Sequence, residues 1–259
     1  MNIKSYAKVN VFLKIVGLRG NYHEIVSRFV KVKTLFDEIF FVPERVETFT
    51  LKGKFGCELE KNTVYKAYLL LKEKKPQIEK FFKEHIVKVN KRIPEFAGLG
   101  GGSSNAAAFL LLSNEVLGLN LSKEELSRIG ERIGADVSFF IHGYNSANVF
   151  GIGEIVENFE EESLEFDIIT PFVKCDTAKV YGKFRENLRG RMEVLDKNRE
   201  FASILKELPS REILKKYEAK ELNDLFSPAL SLCEDLEKHY ERKSFFSGSG
   251  SSFFRVKNG

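Results

Sequence analysis

Apolar and polar positions alternate loosely along the first forty residues. Residues 5–16, rich in Val, Phe and Ile, predict a strand, and residues 17–21 predict a turn. Apolar runs over residues 25–35 and 39–42 predict two more strands, so the chain opens as a β-rich segment with hairpin-like connections. The period then changes. Val64, Ala67, Tyr68 and Leu71 recur at helical spacing, Asn62 is placed to cap that helix, and Pro76 closes it. Residues 85–93 return to a strand pattern, with Val87 and Val89 on one face.

A glycine-rich stretch follows, and then residues 106–117, a strong helix former. A second helix is predicted over residues 122–133, where Ser122 and Glu125 have capping-box spacing and Gly134 supplies the stop. Beyond residue 153 the pattern predicts a strand near 166–170, helices near 201–208, 211–217 and 229–241, and a last β segment around 245–256. Mixed strands and helices without a βα repeat make the class α+β, in two lobes: residues 1–150 and 151–259.

Composition narrows the field without deciding it. The 259 residues are 43% hydrophobic, enough for a sizeable core. The formal charge of +4 comes from 41 basic and 37 acidic residues, well mixed along the chain. The excess suits a phosphorylated ligand, is too small and dispersed to argue for nucleic acid, and by itself decides no partner. Cys57, Cys175 and Cys233 are odd in number, far apart and in no CxxC pair, which argues against a disulfide framework or structural zinc. The first residues carry Lys4 and Lys8 in a strand pattern, not a signal-peptide core, and no apolar run reaches the roughly 18 residues of a membrane span. A reducing, cytoplasmic location and no membrane or obligate protein partner are the expectations.

The chemistry is concentrated in Gly98-Leu99-Gly100-Gly101-Gly102-Ser103-Ser104, between a strand and a helix. Glycines let backbone approach an anion closely, and the N–H groups and dipole of a helix start favour negative charge. Ser103 and Ser104 add hydroxyls for phosphate or magnesium. Walker A is excluded, because Ser103 stands where its Lys belongs, and the dinucleotide fingerprint is excluded because its third glycine is again Ser103. The loop is therefore a nucleotide-phosphate loop of another kind, or else a plain flexible linker. Two further segments could serve phosphoryl transfer. Lys8 and Asn10 share a strand face, although a strand lysine is ordinarily just solvated. Asp136 follows a helix stop, where a turn or cap aspartate is the ordinary reading.

Pro94-Glu95-Phe96-Ala97 leading into the glycine loop resembles the phosphate loop of the GHMP kinases. Ala7-Lys8-Val9-Asn10 and Gly134-Ala135-Asp136-Val137 are similar to that family's other two landmarks, with Ser138 where its members usually carry Pro. The resemblance is closest to the branch that acts on diphosphocytidyl-methylerythritol. It implies the two-lobed GHMP fold, with an N-terminal lobe like domain 2 of ribosomal protein S5. It implies ATP carried with Mg2+, no other metal, and residues Pro94, Glu95, Phe96, Ala97, Gly98, Leu99, Gly100, Gly101, Gly102, Ser103 and Ser104 wrapped around the phosphates. Glu95 would repel phosphate unless turned to solvent. Asn62, Val64 and Lys91 would line the adenine, although a cap and a strand-edge lysine explain them as well. Asp136 would be the general base, with Lys8 beside it.

For the alcohol, the resemblance implies a small molecule bearing cytidine diphosphate, phosphorylated on its 2-hydroxyl in non-mevalonate isoprenoid supply. Gly20-Asn21-Tyr22-His23-Glu24 is similar to the cytidine-recognising segment, giving Tyr22 and His23 that role together with Asn10, Thr177 and Tyr181. Gly248-Ser249-Gly250-Ser251-Ser252 resembles the family's C-terminal glycine motif. The rivals are a GHMP kinase for mevalonate, homoserine or a sugar, and a non-catalytic nucleotide- or RNA-binding protein on an S5-like lobe.

Overall fold

The computed structural model describes residues 1–241 and 243–257. In chain order its elements are β1 (Asn2–Arg19), β2 (Tyr22–Pro43), β3 (Leu51–Gly53), α1 (Thr63–Lys74), α2 (Ile78–Glu84), β4 (His85–Asn90), α3 (Gly101–Val116), α4 (Lys123–Glu131) and α5 (Val137–His142). There follow β5 (Ser146–Gly151), β6 (Ile155–Asn158), β7 (Phe166–Ile169), α6 (Thr177–Asn187), α7 (Glu193–Leu205), α8 (Ser210–Lys216), α9 (Ala219–Leu222), α10 (Phe226–Leu232), β8 (Phe245–Phe246) and β9 (Phe253–Val256).

The chain forms two compact units, and their division is not the single boundary near residue 150 that the sequence suggests. One unit holds Met1–Ala7, Lys33–Ile93 and Gly100–Gly143; the other holds Lys8–Val32, Pro94–Leu99 and Tyr144–Gly259. The physical reason is strand length. β1 and β2, paired across the Gly20–Asn21 turn, are 18 and 22 residues long, so each contributes to both units. The apolar runs at 25–35 and 39–42 are one strand, because the polar break between them is no turn. Asp37 there is fully buried and accepts the backbone N–H groups of Arg92 (2.6 Å) and Ile93 (2.8 Å).

In the first unit, β2 pairs antiparallel with β4 (Ile39 opposite Val89), and β4 pairs parallel with β3. α1 and α3 pack together, and α4 and α5 do the same. Its core is aromatic: Phe49 stacks on Tyr68 at 4.0 Å, and Phe82 meets both Phe41 (5.1 Å) and Phe109 (5.4 Å). Such ring pairs add roughly 0.5–1.5 kcal/mol each beyond their buried area. Asn62 does cap α1, accepting from Val64 N–H at 2.9 Å. Ser122 and Glu125 do form the reciprocal capping box of α4.

In the second unit, β2 pairs antiparallel with β5 (Ile25 opposite Gly151), β5 pairs with β6, and β9 pairs with both β7 and β8. Phe226 of α10 packs on Phe246 and Phe253, tying that helix to the last hairpin. Arg28 is fully buried there. Its guanidinium donates to Asn148 Oδ1 (2.7 Å) and the Lys206 carbonyl (2.7 Å), and lies 3.4 Å from the Phe159 ring centre. Two helical expectations are corrected, and one helix is additional. The helix expected near 201–208 is the earlier and longer α7. The one expected over 229–241 ends at Leu232, where Cys233 leaves helical geometry and a 3-10 turn takes over. α6 was not expected; Asp176 starts it by accepting from Lys179 N–H (3.0 Å), and Val180 and Phe184 bury one stripe.

Candidate functional site

The glycine loop leads into α3 five residues before the alanine run. Gly100, at φ +70°, is its N-cap, and the first helical bond runs from Ser104 N–H to the Gly100 carbonyl (2.9 Å). The N–H groups of Gly101, Gly102 and Ser103 precede that bond, in the position from which helix starts bind anions. A Cβ on Gly101 would fall 2.9 Å from Ile93 Cγ2, so only glycine lets the helix start this close to the chain leaving β4. Thr63 Oγ1 holds the Gly102 carbonyl at 2.7 Å.

A buried polar network fixes this turn from behind. Asp37 Oδ2 accepts from Lys91 Nζ (2.5 Å) and Asn105 Nδ2 (2.9 Å). Asn105 Oδ1 also accepts from Lys91 (3.2 Å), its amide donates to Ser5 Oγ, and Ser5 donates to Ser104 Oγ (2.8 Å each). Ser104 is thus engaged in the interior, while Ser103 is half-exposed. A Cβ built on Gly134 would lie 3.7 Å from Ser103 Oγ. The start of the glycine-loop helix and the Gly134-Ala135-Asp136 turn are therefore adjacent within one unit. Asp136 stands in the turn at the head of α5 and makes no side-chain cap bond to it.

The second unit gathers the rest of the loop. Lys8 and Asn10 are both buried; Lys8 Nζ donates to Asn10 Oδ1 (2.6 Å) and lies 4.5 Å from the Phe29 ring centre. Asn10 Nδ2 donates to Ser27 Oγ (3.0 Å), which donates to the Phe12 carbonyl (2.5 Å). Lys8 N–H donates to the Leu99 carbonyl at 3.0 Å, so the lysine strand and the loop are directly bonded. The C-terminal glycine turn holds the preceding residues: Ser252 N–H donates to Ala97 O (3.1 Å) and Ser247 Oγ to Gly98 O (3.0 Å). Asn223 Nδ2 holds that turn in place through the Phe246 and Gly248 carbonyls, at 2.9 Å each. Glu95 and Phe96 are exposed.

His23 and Tyr181, far apart in sequence, have ring centres 4.9 Å apart. Burial, and then the nearby charge of Arg185, hold the His23 pKa below the usual histidine value. Its Nε2 is buried with no partner, while Tyr22 is exposed on the neighbouring position. Thr177 Oγ1 lies 2.8 Å from Ser249 Oγ of the glycine turn. The three adenine-side residues have structural engagements of their own: Asn62 caps α1, Val64 is buried in it, and Lys91 pairs with Asp37. Asp37, Ser27 and Asn223 were not singled out in the sequence. An aspartate inside an apolar strand run was the one signal among them.

Residues 62–144 match the family model described as GHMP kinases N terminal domain. The chain is 53% identical over 260 residues to the 4-diphosphocytidyl-2-C-methyl-D-erythritol kinase of Sulfurimonas denitrificans, covering 98% of this chain and 96% of that protein. It is 47% identical to the protein of the same name from Sulfurovum sp., covering 99% of each. Among solved structures, it resembles the crystal structure of 4-(cytidine 5'-diphospho)-2C-methyl-D-erythritol kinase with a TM-score of 0.70 and 28% identity, covering 100% of this chain and 91% of that one.

Proposed function

The chain belongs to the GHMP kinase family, and from that premise we propose that it phosphorylates the 2-hydroxyl of 4-diphosphocytidyl-2-C-methyl-D-erythritol with ATP in the non-mevalonate isoprenoid route. It is a phosphotransferase. In phosphoryl transfer the protein positions the reactants and balances charge. The N–H groups of Gly101, Gly102 and Ser103 are assigned to the ATP phosphates. Magnesium is proposed to arrive with the nucleotide, its ligands drawn from phosphate oxygens, water and Ser103 Oγ. Among the described residues no cluster of three His, Cys, Asp or Glu could hold a metal ion. The cytoplasm, where ATP is drawn, is the proposed location.

Asp136 is assigned the proton of the acceptor hydroxyl. As that oxygen bonds to the γ-phosphorus, the bond to the β,γ-bridging oxygen breaks and ADP leaves. Lys8, held by Asn10, is assigned the charge that develops on the attacking oxygen. His23 and Tyr181, with Thr177, are assigned the cytidine: a ring face for stacking and an imidazole held neutral at physiological pH to accept or donate at a base edge. Tyr22 and Asn10 complete that set. The single observation carrying the kinase assignment is the approach of Ser103 to Gly134, which joins the phosphate loop to the turn bearing Asp136.

The test is ADP release over a panel of alcohols that includes the cytidine compound, mevalonate and homoserine. The cytidine compound is expected to be the one turned over. Asp136→Asn and Lys8→Ala are expected to lower kcat by about 10²–10⁴ while ATP binding by calorimetry stays within about twofold. Near-normal kcat in both variants refutes the roles, and turnover of mevalonate or homoserine instead refutes the substrate.

A further inference from the structure

We propose that Cys175 and Cys233 form a modification site: a dithiol that a peroxide converts to an intramolecular disulfide. Their sulfur atoms lie 3.3 Å apart, although 58 residues separate them in sequence. Both are free thiols. Cys175 directly precedes α6, Cys233 directly follows α10, and those two helices pack on each other. A disulfide needs about 2.05 Å between the sulfurs, so closing the bond asks for an approach of about 1.3 Å. This chemistry is independent of the kinase assignment and does not rest on it.

The two thiols are unequal, which sets the order of events. Cys233 is half-exposed at the helix end, whereas Cys175 is buried. Burial, reinforced by the neighbouring Cys233, pushes the Cys175 thiol up to about 12, so it stays protonated at neutral pH. The more accessible Cys233 sulfur therefore meets the oxidant first. Its sulfur attacks a peroxide oxygen, the S–O bond forms as O–O breaks, and the departing hydroxide takes a proton to become water. Cys233 is then a sulfenic acid, oxidised by two electrons. The Cys175 sulfur attacks it, S–S forms as S–O breaks, and the second water leaves with the Cys175 proton. In sum, two thiols and one hydrogen peroxide give one disulfide and two waters. Cys57 belongs to the other compact unit and takes no part.

The new bond lands beside functional backbone. A Cβ on Gly250 would sit 3.1 Å from Cys175 Sγ, and Asp176 and Thr177, the next two residues, cap and begin α6. The experiment uses the full chain, treated with hydrogen peroxide, alkylated, and read by intact and peptide mass spectrometry. The expected result is a loss of about 2 Da, a cross-linked Cys175–Cys233 peptide, Cys57 still alkylated, and reversal by dithiothreitol. Cys175→Ser is expected to stop at a Cys233 sulfenic acid that dimedone labels. Cys233→Ser is expected to leave Cys175 a thiol that dimedone does not label. Oxidation that gives no 175–233 peptide, sulfinic acid at Cys233 in the unaltered chain, or a bridge through Cys57 overturns the proposal.

Discussion

Gly98→Ala separates two costs that glycine avoids. The first is conformational: φ is +73°, a region costing an L residue about 1–2 kcal/mol. Gly190 supplies a control, because it has the same φ of +73° and nothing within 4 Å of a built Cβ. Gly190→Ala should therefore lose about 1–2 kcal/mol and no more. At Gly98 a second cost is added. The new methyl would press into the Ser247 carbonyl group, 2.9 Å from its carbon, and lie 3.1 Å from Gly250 N. That carbonyl is backbone and cannot rotate away. It also accepts from Gly250 N–H at 3.0 Å, while Ser247 N–H donates to Ser252 O at 3.0 Å.

Relief requires the turn to retreat, which breaks the Ser247 Oγ bond to Gly98 O and the Ser252 N–H bond to Ala97 O. Each is a net loss of about 0.5–1.5 kcal/mol, bringing the total for Gly98→Ala to about 2–5 kcal/mol. Differential scanning calorimetry should show Tm falling by roughly 2–4 °C per kcal/mol, so Gly98→Ala should fall clearly further than Gly190→Ala. ATP affinity should drop for Gly98→Ala alone, because residues 97–99 lead directly into the helix start. Equal Tm for the two variants would refute the claim that the C-terminal turn clamps the phosphate loop.

Three other outcomes follow from the same contacts. Asp37→Ala strands the Lys91 ammonium and the Arg92 and Ile93 N–H groups in the interior, and urea unfolding should show a loss of about 3–5 kcal/mol, with a loss near zero as the contrary result. Arg28→Lys keeps the charge but cannot span Asn148, the Lys206 carbonyl and Ser210, so a loss of about 1–3 kcal/mol is expected by the same assay; full stability would contradict the buried fork. His23 and His142 both have folded pKa values below 6.5, chiefly through burial. Below 6.5 the unfolded chain takes up protons that the fold refuses, so their contribution is full above 6.5 and is lost as pH falls through the lowered folded values. Unfolding free energies across that window should flatten when both are changed to Gln, and an unchanged slope would refute it.

What was legible in the sequence was mostly local. The capping box of Ser122 and Glu125 and the Asn62 cap are each fixed within three residues, and both stand as expected. The glycine loop itself was legible as a connection from a strand into a helix. Its boundary was misjudged: Ala106 looked like the helix start, yet the helix begins at Gly101, since close packing on Ile93 compensates for poor glycine propensity. α6 carries a weak sequence signal, because Asp176 caps it but only Val180 and Phe184 mark its buried stripe.

The unread part is what lies between distant segments. Ser247 and Ser252 bond the carbonyls of residues 98 and 97, Asn223 holds their turn through the Phe246 and Gly248 carbonyls, and no periodicity marks a side chain whose partner is a distant backbone carbonyl. Asp37 is instructive because it was partly visible. A charge in an apolar strand run was read as a break between two strands, when the strand is continuous and the charge is spent on Lys91, Asn105 and two backbone N–H groups. Burying an aspartate is tolerable only with such complete satisfaction. A buried acid in a strand therefore implies several donors converging from elsewhere, and here they converge on the chain entering the glycine loop. The same logic applies to Lys8: a lysine buried at the centre of a strand demands partners, so its burial, and not its place in a motif, is the physical sign that it is no solvated strand residue.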